Sequence, residues 1–116
     1  MLVVVTKGEN MYTIYVVFKT VDGKREQFIE KVKSEGIVDA VRAEDGCLRY
    51  DYYFSEKDKN EILLIEAWES AEHQKVHIAQ PHMDRLREIK QDYILSTTLG
   101  EFELKKQNER VRIVPF

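Results

Sequence analysis

CLRYDYYFSEKDKNEILLIEAW, residues 47–68, reads as a β-hairpin. Two runs rich in aromatic and aliphatic residues, Cys47 to Phe54 and Glu61 to Trp68, flank the charged loop Ser55 to Asn60. Upstream, MYTIYVVFKT (Met11 to Thr20) has the same aromatic and β-branched character and stops at Val21-Asp22-Gly23, a strand ending in a turn. Between the two, Lys24 to about Val41 changes to helical spacing, with Phe28, Ile29, Val32, Ile37, Val38 and Val41 on one side. Gly36 marks a kink in it, and Ala43-Glu44-Asp45-Gly46 ends it. Downstream, Ser70 caps a helix running to about Ala79, with Glu72 in the first turn where the helix dipole favours an acid. Pro81 interrupts it, and Met83, Leu86, Ile89 and Tyr93 give a second helical piece an apolar stripe. Ile94 to Leu104 returns to strand character despite Gly100. The order βαββαβ predicts an α+β, ferredoxin-like domain: an antiparallel sheet with both helices on one face.

The chain has 116 residues, 43% hydrophobic and 34% charged, which is one globular domain's worth with one core. The formal net charge of −3 comes from acids and bases scattered along the chain, and no basic block could track a phosphate backbone; nucleic acid is not an expected partner. Cys47 is the sole cysteine, so no intrachain disulfide forms, and a reducing cytoplasm is the expected compartment. The opening Leu2-Val3-Val4-Val5 is too short for a secretory core or a membrane span and reads as an edge strand or ordered arm. The expected organisation is an N-terminal extension over 1–10, the folded domain over 11–104 and a C-terminal tail over 105–116.

A sheet with one wet face should alternate apolar and polar residues, yet Ile14-Tyr15-Val16-Val17-Phe18 and Ile62-Leu63-Leu64-Ile65 do not. Two helices cover only one face. The pattern therefore predicts that the other packs against a second copy of the chain in a dimeric α/β barrel, or that the terminal segments fold back over it. Arg110 to Phe116 is the segment best suited to cover it or to cross to the partner.

His73 and His77 lie four apart, a spacing that can grip a metal, with His82 as a conceivable third ligand. No carboxylate or thiolate stands at a matching spacing and His73 falls on the solvated side, so no metal is expected. Glu66 stands out because a carboxylate between Ile65 and Ala67 in an apolar strand must be paired or carry a raised pKa. It either orients a histidine, accepts a proton or sits in a structural ion pair. Tyr50 and Tyr52 share one face of their strand and Tyr53 takes the other.

Gly46-Cys47-Leu48-Arg49-Tyr50, Glu66-Ala67-Trp68-Glu69-Ser70, His77 and Pro81-His82-Met83 follow one another in an order and spacing that resemble the antibiotic biosynthesis monooxygenase domain, close to bacterial quinol monooxygenases. The resemblance covers about Tyr12 to Leu104, its specific part being Ile65 to Met83. It implies a dimer of ferredoxin-like domains that inserts oxygen into a small aromatic or quinol substrate without flavin, metal or haem. The substrate must then supply the electron to oxygen itself once deprotonated, in a pocket holding a base, a donor for an oxygen anion and little water. The resemblance makes His77 the base, and Glu66 is the second catalytic candidate on the grounds of its own apolar setting. It makes Trp68 a stacking wall or a plain core residue, and His82 a pocket residue or a clasp for the bend at Pro81. The hydroxyls of Tyr50 and Tyr52 would hold a quinone oxygen, unless these tyrosines simply pack a dimer seam. Haem-degrading relatives carry an asparagine on the first strand that Tyr12 to Phe18 lacks. A branch that isomerises a phosphorylated dione shares the Leu48-Arg49-Tyr50 and Pro81-His82 stretches and would need Arg49, Arg85 or Arg87 at the pocket. A dimer that only binds a small apolar ligand is the third reading.

Overall fold

A computed structural model describes residues 2–5, 11–102 and 112–115. In chain order the elements are β1 (Leu2–Val5), β2 (Tyr12–Thr20), α1 (Arg25–Ser34), α2 (Ile37–Arg42), β3 (Cys47–Phe54), β4 (Glu61–Trp68), α3 (Ala71–Ile78), α4 (Pro81–Tyr93), β5 (Ile94–Glu101) and β6 (Arg112–Pro115). The main sheet has the order β3-β4-β2-β5, antiparallel throughout, and β1 pairs with β6 in a separate two-stranded sheet. This is the ferredoxin-like arrangement. The N-terminal strand thus pairs with the C-terminal one, not with an edge of the main sheet.

Local chemistry accounts for most boundaries. The Ser55 hydroxyl accepts the backbone N–H of Lys57 and Asp58, which closes the β3–β4 loop and places Tyr50 opposite Glu66, Tyr52 opposite Leu64 and Phe54 opposite Ile62. Gly36, at φ 75°, breaks the expected long helix into α1 and α2, more than a kink. The Ser70 hydroxyl accepts the His73 backbone N–H at the start of α3, and Pro81 opens α4, where its missing N–H is no loss. The last strand of the main sheet ends at Glu101, short of the expected Leu104; residues 103 and 104 lie outside the described residues, as do 105–111 of the tail.

Alternate residues of β2 and β4 (Ile14, Val16 and Phe18; Ile62 and Leu64) point into one core with Tyr50. The helices cover it with Phe28 and Val32 from α1, Val41 from α2, and Leu86 and Ile89 from α4. The only buried residue of α3 is a histidine, His77. The opposite face presents Tyr15, Val17, Leu63 and Ile65, all half-buried, and no described helix buries residues there. On that face Tyr15 lies over Gly100: a Cβ on Gly100 would come within 2.2 Å of the Tyr15 ring, which explains a glycine inside a strand. No described helix is long and apolar enough to cross a membrane.

Gly46 has φ +79°, and a Cβ there would sit 2.3 Å from the His73 ring, whereas Gly23, at φ +74°, faces open space. Gly46→Ala is therefore expected to cost about 1–3 kcal/mol from backbone strain plus the shift of His73. Gly23→Ala should show the strain alone, and urea unfolding of the two variants measures the difference.

Candidate active site

Three titratable side chains from three segments meet beneath the helices. Glu44 lies in the turn between α2 and β3, His77 on α3, and His82 in the first turn of α4. One carboxylate oxygen, Glu44 Oε2, is 2.8 Å from His77 Nδ1 and 2.8 Å from His82 Nε2. The side chains are 2% (His77), 10% (Glu44) and 22% (His82) exposed, so water competes little for these bonds. A carboxylate only accepts, so both imidazoles donate an N–H to it, and neutral His77 keeps its lone pair on Nε2.

That Nε2 atom lies 3.8 Å from Glu66 Oε1. The same Oε1 accepts the Trp68 indole N–H at 3.1 Å, and the indole ring lies against the imidazole at 4.6 Å with a 32° tilt. The Tyr50 ring meets the imidazole edge-on at 5.9 Å. His77 is thus clamped between two aromatic rings with its Nδ1 tied down, an orientation that burial and hydrogen bonding both enforce. Burial pushes the Glu66 carboxyl above its usual range, against the pull of the Trp68 N–H and His77. Burial likewise pushes the Tyr50 phenol well up and the Tyr52 phenol up to about 12, so both stay neutral near pH 7; their hydroxyls are 3.3 Å apart.

Between the sheet and α3/α4 opens a cavity of about 560 Å³, a size that suits a small ligand. His77, Glu66 and Tyr50 line it from one side, Leu86 and Lys90 of α4 and Leu99 of β5 from others. Burial lowers the pKa of the Lys90 ammonium, which Glu66 partly offsets, and the ammonium sits 4.8 Å from the centre of the Phe18 ring. Of the expected site residues, His77, Glu66 and Tyr50 reach the cavity. Trp68, Tyr52 and His82 do not: Trp68 lies fully buried behind His77 and Glu66, Tyr52 stands behind the Tyr50 hydroxyl, and His82 reaches His77 only through Glu44. Trp68 therefore supports the site from beneath and does not wall it.

Sequence reasoning missed Glu44, which it read only as part of a helix-breaking turn. A carboxylate in a loop has no periodicity that would flag it, and its partners lie 33 and 38 positions away. No carboxylate at a matching sequence spacing is expected, and Glu44 reaches both histidines from a distant turn that spacing does not report. His73 instead bonds the Ser70 hydroxyl through Nδ1 at 2.6 Å and faces Asp45. Arg85 is held by Glu35 and Glu88, and Arg49 by Asp51 and Tyr53; of the three arginines only Arg87 lines the cavity, with its guanidinium on Asp84 and the Ile78 carbonyl.

The raised pKa of Glu66 has a pH consequence. Relative to the unfolded chain, the folded protein holds the Glu66 proton to higher pH, so its contribution to stability is fully present below the ordinary value of 4.5 and is lost as pH rises through the folded pKa. Glu66→Gln keeps an acceptor for Trp68 and removes the titration. Its thermal midpoint, compared with the parent, is expected to gain as pH rises from 4.5 toward 8, and melting curves across that window test it.

The sequence model described as antibiotic biosynthesis monooxygenase matches residues 11–89. An uncharacterized protein of Synechocystis is 28% identical over 71 residues, 61% of this chain and 47% of that protein, so the chain spans about half the length of the curated relative it matches. Among solved structures, a Bacteroides thetaiotaomicron protein described as a "Possible Oxidoreductase" is 25% identical with TM-score 0.71, covering 82% of this chain and 98% of that one. A Pseudomonas aeruginosa protein is 20% identical with TM-score 0.74, covering 84% and 96%, a likeness of fold.

Proposed function

Because the chain belongs to the antibiotic biosynthesis monooxygenase family, we propose that it is an oxidoreductase that uses molecular oxygen to oxidise a small phenolic or quinol substrate, with no organic or metal cofactor in the chemical step. The observation that carries this reading is His77: its Nδ1 is tied to Glu44, its ring is clamped by Trp68 and Tyr50, and it borders a largely apolar cavity that also holds Arg87, Lys90, Glu66 and Glu101.

His77 Nε2 takes the substrate hydroxyl proton, and Glu44 stabilises the imidazolium that forms. Lys90 and Arg87 at the cavity favour the resulting oxyanion. Negative charge delocalised onto a ring carbon bearing hydrogen makes that carbon electron-rich. It passes one electron to oxygen, and the radical pair combines to a carbon-bound peroxide. The peroxide takes the proton back from His77. Loss of water, made from the ring hydrogen and the distal O–H, leaves a new carbonyl. One oxygen atom enters the product and the other leaves as water. Glu66 Oε1, 3.8 Å from Nε2, orients the His77 ring through this shuttle and takes no net proton. Arg87 and Lys90 would also suit a phosphorylated substrate, which is what an isomerase of the dione branch requires.

Oxygen uptake by chelator-treated protein with a panel of reduced quinols, corrected for autoxidation, tests the reading. Saturable uptake, with one water and one oxygenated product per oxygen, supports it. Absence of uptake across the panel, together with turnover of a phosphorylated dione, overturns it in favour of the isomerase.

The half-buried apolar face bearing Tyr15, Val17, Leu63 and Ile65 is the surface on which a second copy of the chain would pack, in a cytoplasmic homodimer. Val17→Asp is expected to convert the dimer to monomer in sedimentation, because packing this face against a second copy would strip water from the new carboxylate.

A further inference from the structure

We propose that Glu44, His77 and His82 form a binding site for one divalent transition-metal ion of the Zn2+ type, and that its occupancy silences His77 as a base. The candidate ligand atoms, Glu44 Oε2, His77 Nδ1 and His82 Nε2, all lie within 4.8 Å of one another, and the two nitrogen–oxygen separations are 2.8 Å. Around Zn2+ with bonds of about 2.0–2.1 Å, tetrahedral ligand atoms stand about 3.3 Å apart, so the ion is admitted when each nitrogen moves about half an ångström from Glu44 Oε2 and the two nitrogens, within 4.8 Å, settle to the same spacing. Two imidazoles and one carboxylate suit a borderline metal and leave a fourth position for water. His82, 22% exposed, gives an entry path, while His77 and Glu44 hold their donors nearly dry. The ligands also come from three separate segments that core packing has already fixed, so the ion need not order a loop.

The same geometry makes metal binding and base chemistry exclusive. A neutral imidazole has one lone pair. Without metal it sits on Nε2, because Nδ1–H is donated to Glu44. Coordination uses the Nδ1 lone pair, so the ring proton must move to Nε2, where it points toward Glu66 Oε1 3.8 Å away and where no further proton can be accepted. The ion thereby replaces a hydrogen-bonded triad by a coordinated one and removes the acceptor atom. This second half rests on His77 being the base; the binding itself does not.

Zn2+ titrated into chelator-stripped protein in competition with a chromophoric chelator is expected to show one ion per chain, and Co2+ to give a visible tetrahedral spectrum. Glu44→Gln and His82→Ala should each weaken Zn2+ by at least about tenfold. His73→Ala, at the neighbouring histidine, should leave it unchanged. Circular dichroism confirms that each variant is folded; His82→Gln serves if His82→Ala is not. Failure of the parent to bind, or equal binding by folded Glu44 and His82 variants, overturns the site. Nitrogen-15 NMR of the His77 ring reads the switch without any turnover: Zn2+ should move the proton from Nδ1 to Nε2, and a ring still bare at Nε2 at full occupancy overturns the second half. With a quinol that is turned over, inhibition should track occupancy and reverse on adding chelator. Full activity at full occupancy would also overturn the switch, whereas a protein that binds Zn2+ but oxidises no quinol even when metal-free refutes the monooxygenase reading alone.

Discussion

His77→Ala is expected to lower quinol turnover by about 10²–10⁴-fold, the range of a lost general base. The histidine is held at the cavity by Glu44 at 2.8 Å, by the Trp68 ring at 4.6 Å and by the Tyr50 edge, and alanine removes the lone pair that these contacts aim. Glu66, the nearest alternative, already has its Oε1 engaged by the Trp68 N–H and stands 3.8 Å from Nε2. Glu44→Gln should reproduce most of this loss with little change in KM, because its amide still bonds the ring but no longer stabilises the imidazolium. The double variant is expected to be no worse than His77→Ala, since the two residues act as one unit. A purely structural role for Glu44 would lower stability and leave kcat of the folded enzyme alone. The proposed role lowers kcat in a variant that is still folded, so kcat measured beside urea unfolding of Glu44→Gln separates the two.

Trp68→Ala is expected to destabilise the fold by about 3–5 kcal/mol, the range for removing a large aromatic from a packed interior. The indole is fully buried and holds together groups that burial would otherwise penalise: it donates to Glu66 and backs the His77 ring. Trp68→Phe keeps most of the volume but leaves the Glu66 oxygen without its donor, at a cost of about 1–3 kcal/mol, and should raise the Glu66 pKa further. As the only tryptophan in the chain, Trp68 also gives a fluorescence signal that comes from the site alone. Urea unfolding followed by that emission in the parent, and by circular dichroism in parent and Trp68 variants alike, measures these differences. A loss below about 1 kcal/mol for Trp68→Ala would mean that the cavity collapses freely and that the clamp on His77 is weak.

The element order, the antiparallel ferredoxin-like sheet and most boundaries are legible in the chain because their causes are local. Period-two and helical spacing, the Ser70 cap, Pro81 at the head of α4 and the glycine at 36 act over a few residues each. Local rules also single out Glu66, a carboxylate inside an apolar strand, whereas His77 stands out by its resemblance to the family's histidine and Tyr50 by strand alternation. What periodicity reports is the face on which a side chain lies, and it is silent about which residues of other elements meet it there. Only the packing of α2, α3 and α4 over the sheet brings Glu44 to His77 and His82, sinks Trp68 behind them, and ties Arg85 and Arg49 to carboxylates away from the cavity. Those placements depend on how whole helices cross the sheet, a choice set by the summed burial of Phe28, Val32, Val41, Leu86 and Ile89, and no short stretch of sequence contains it.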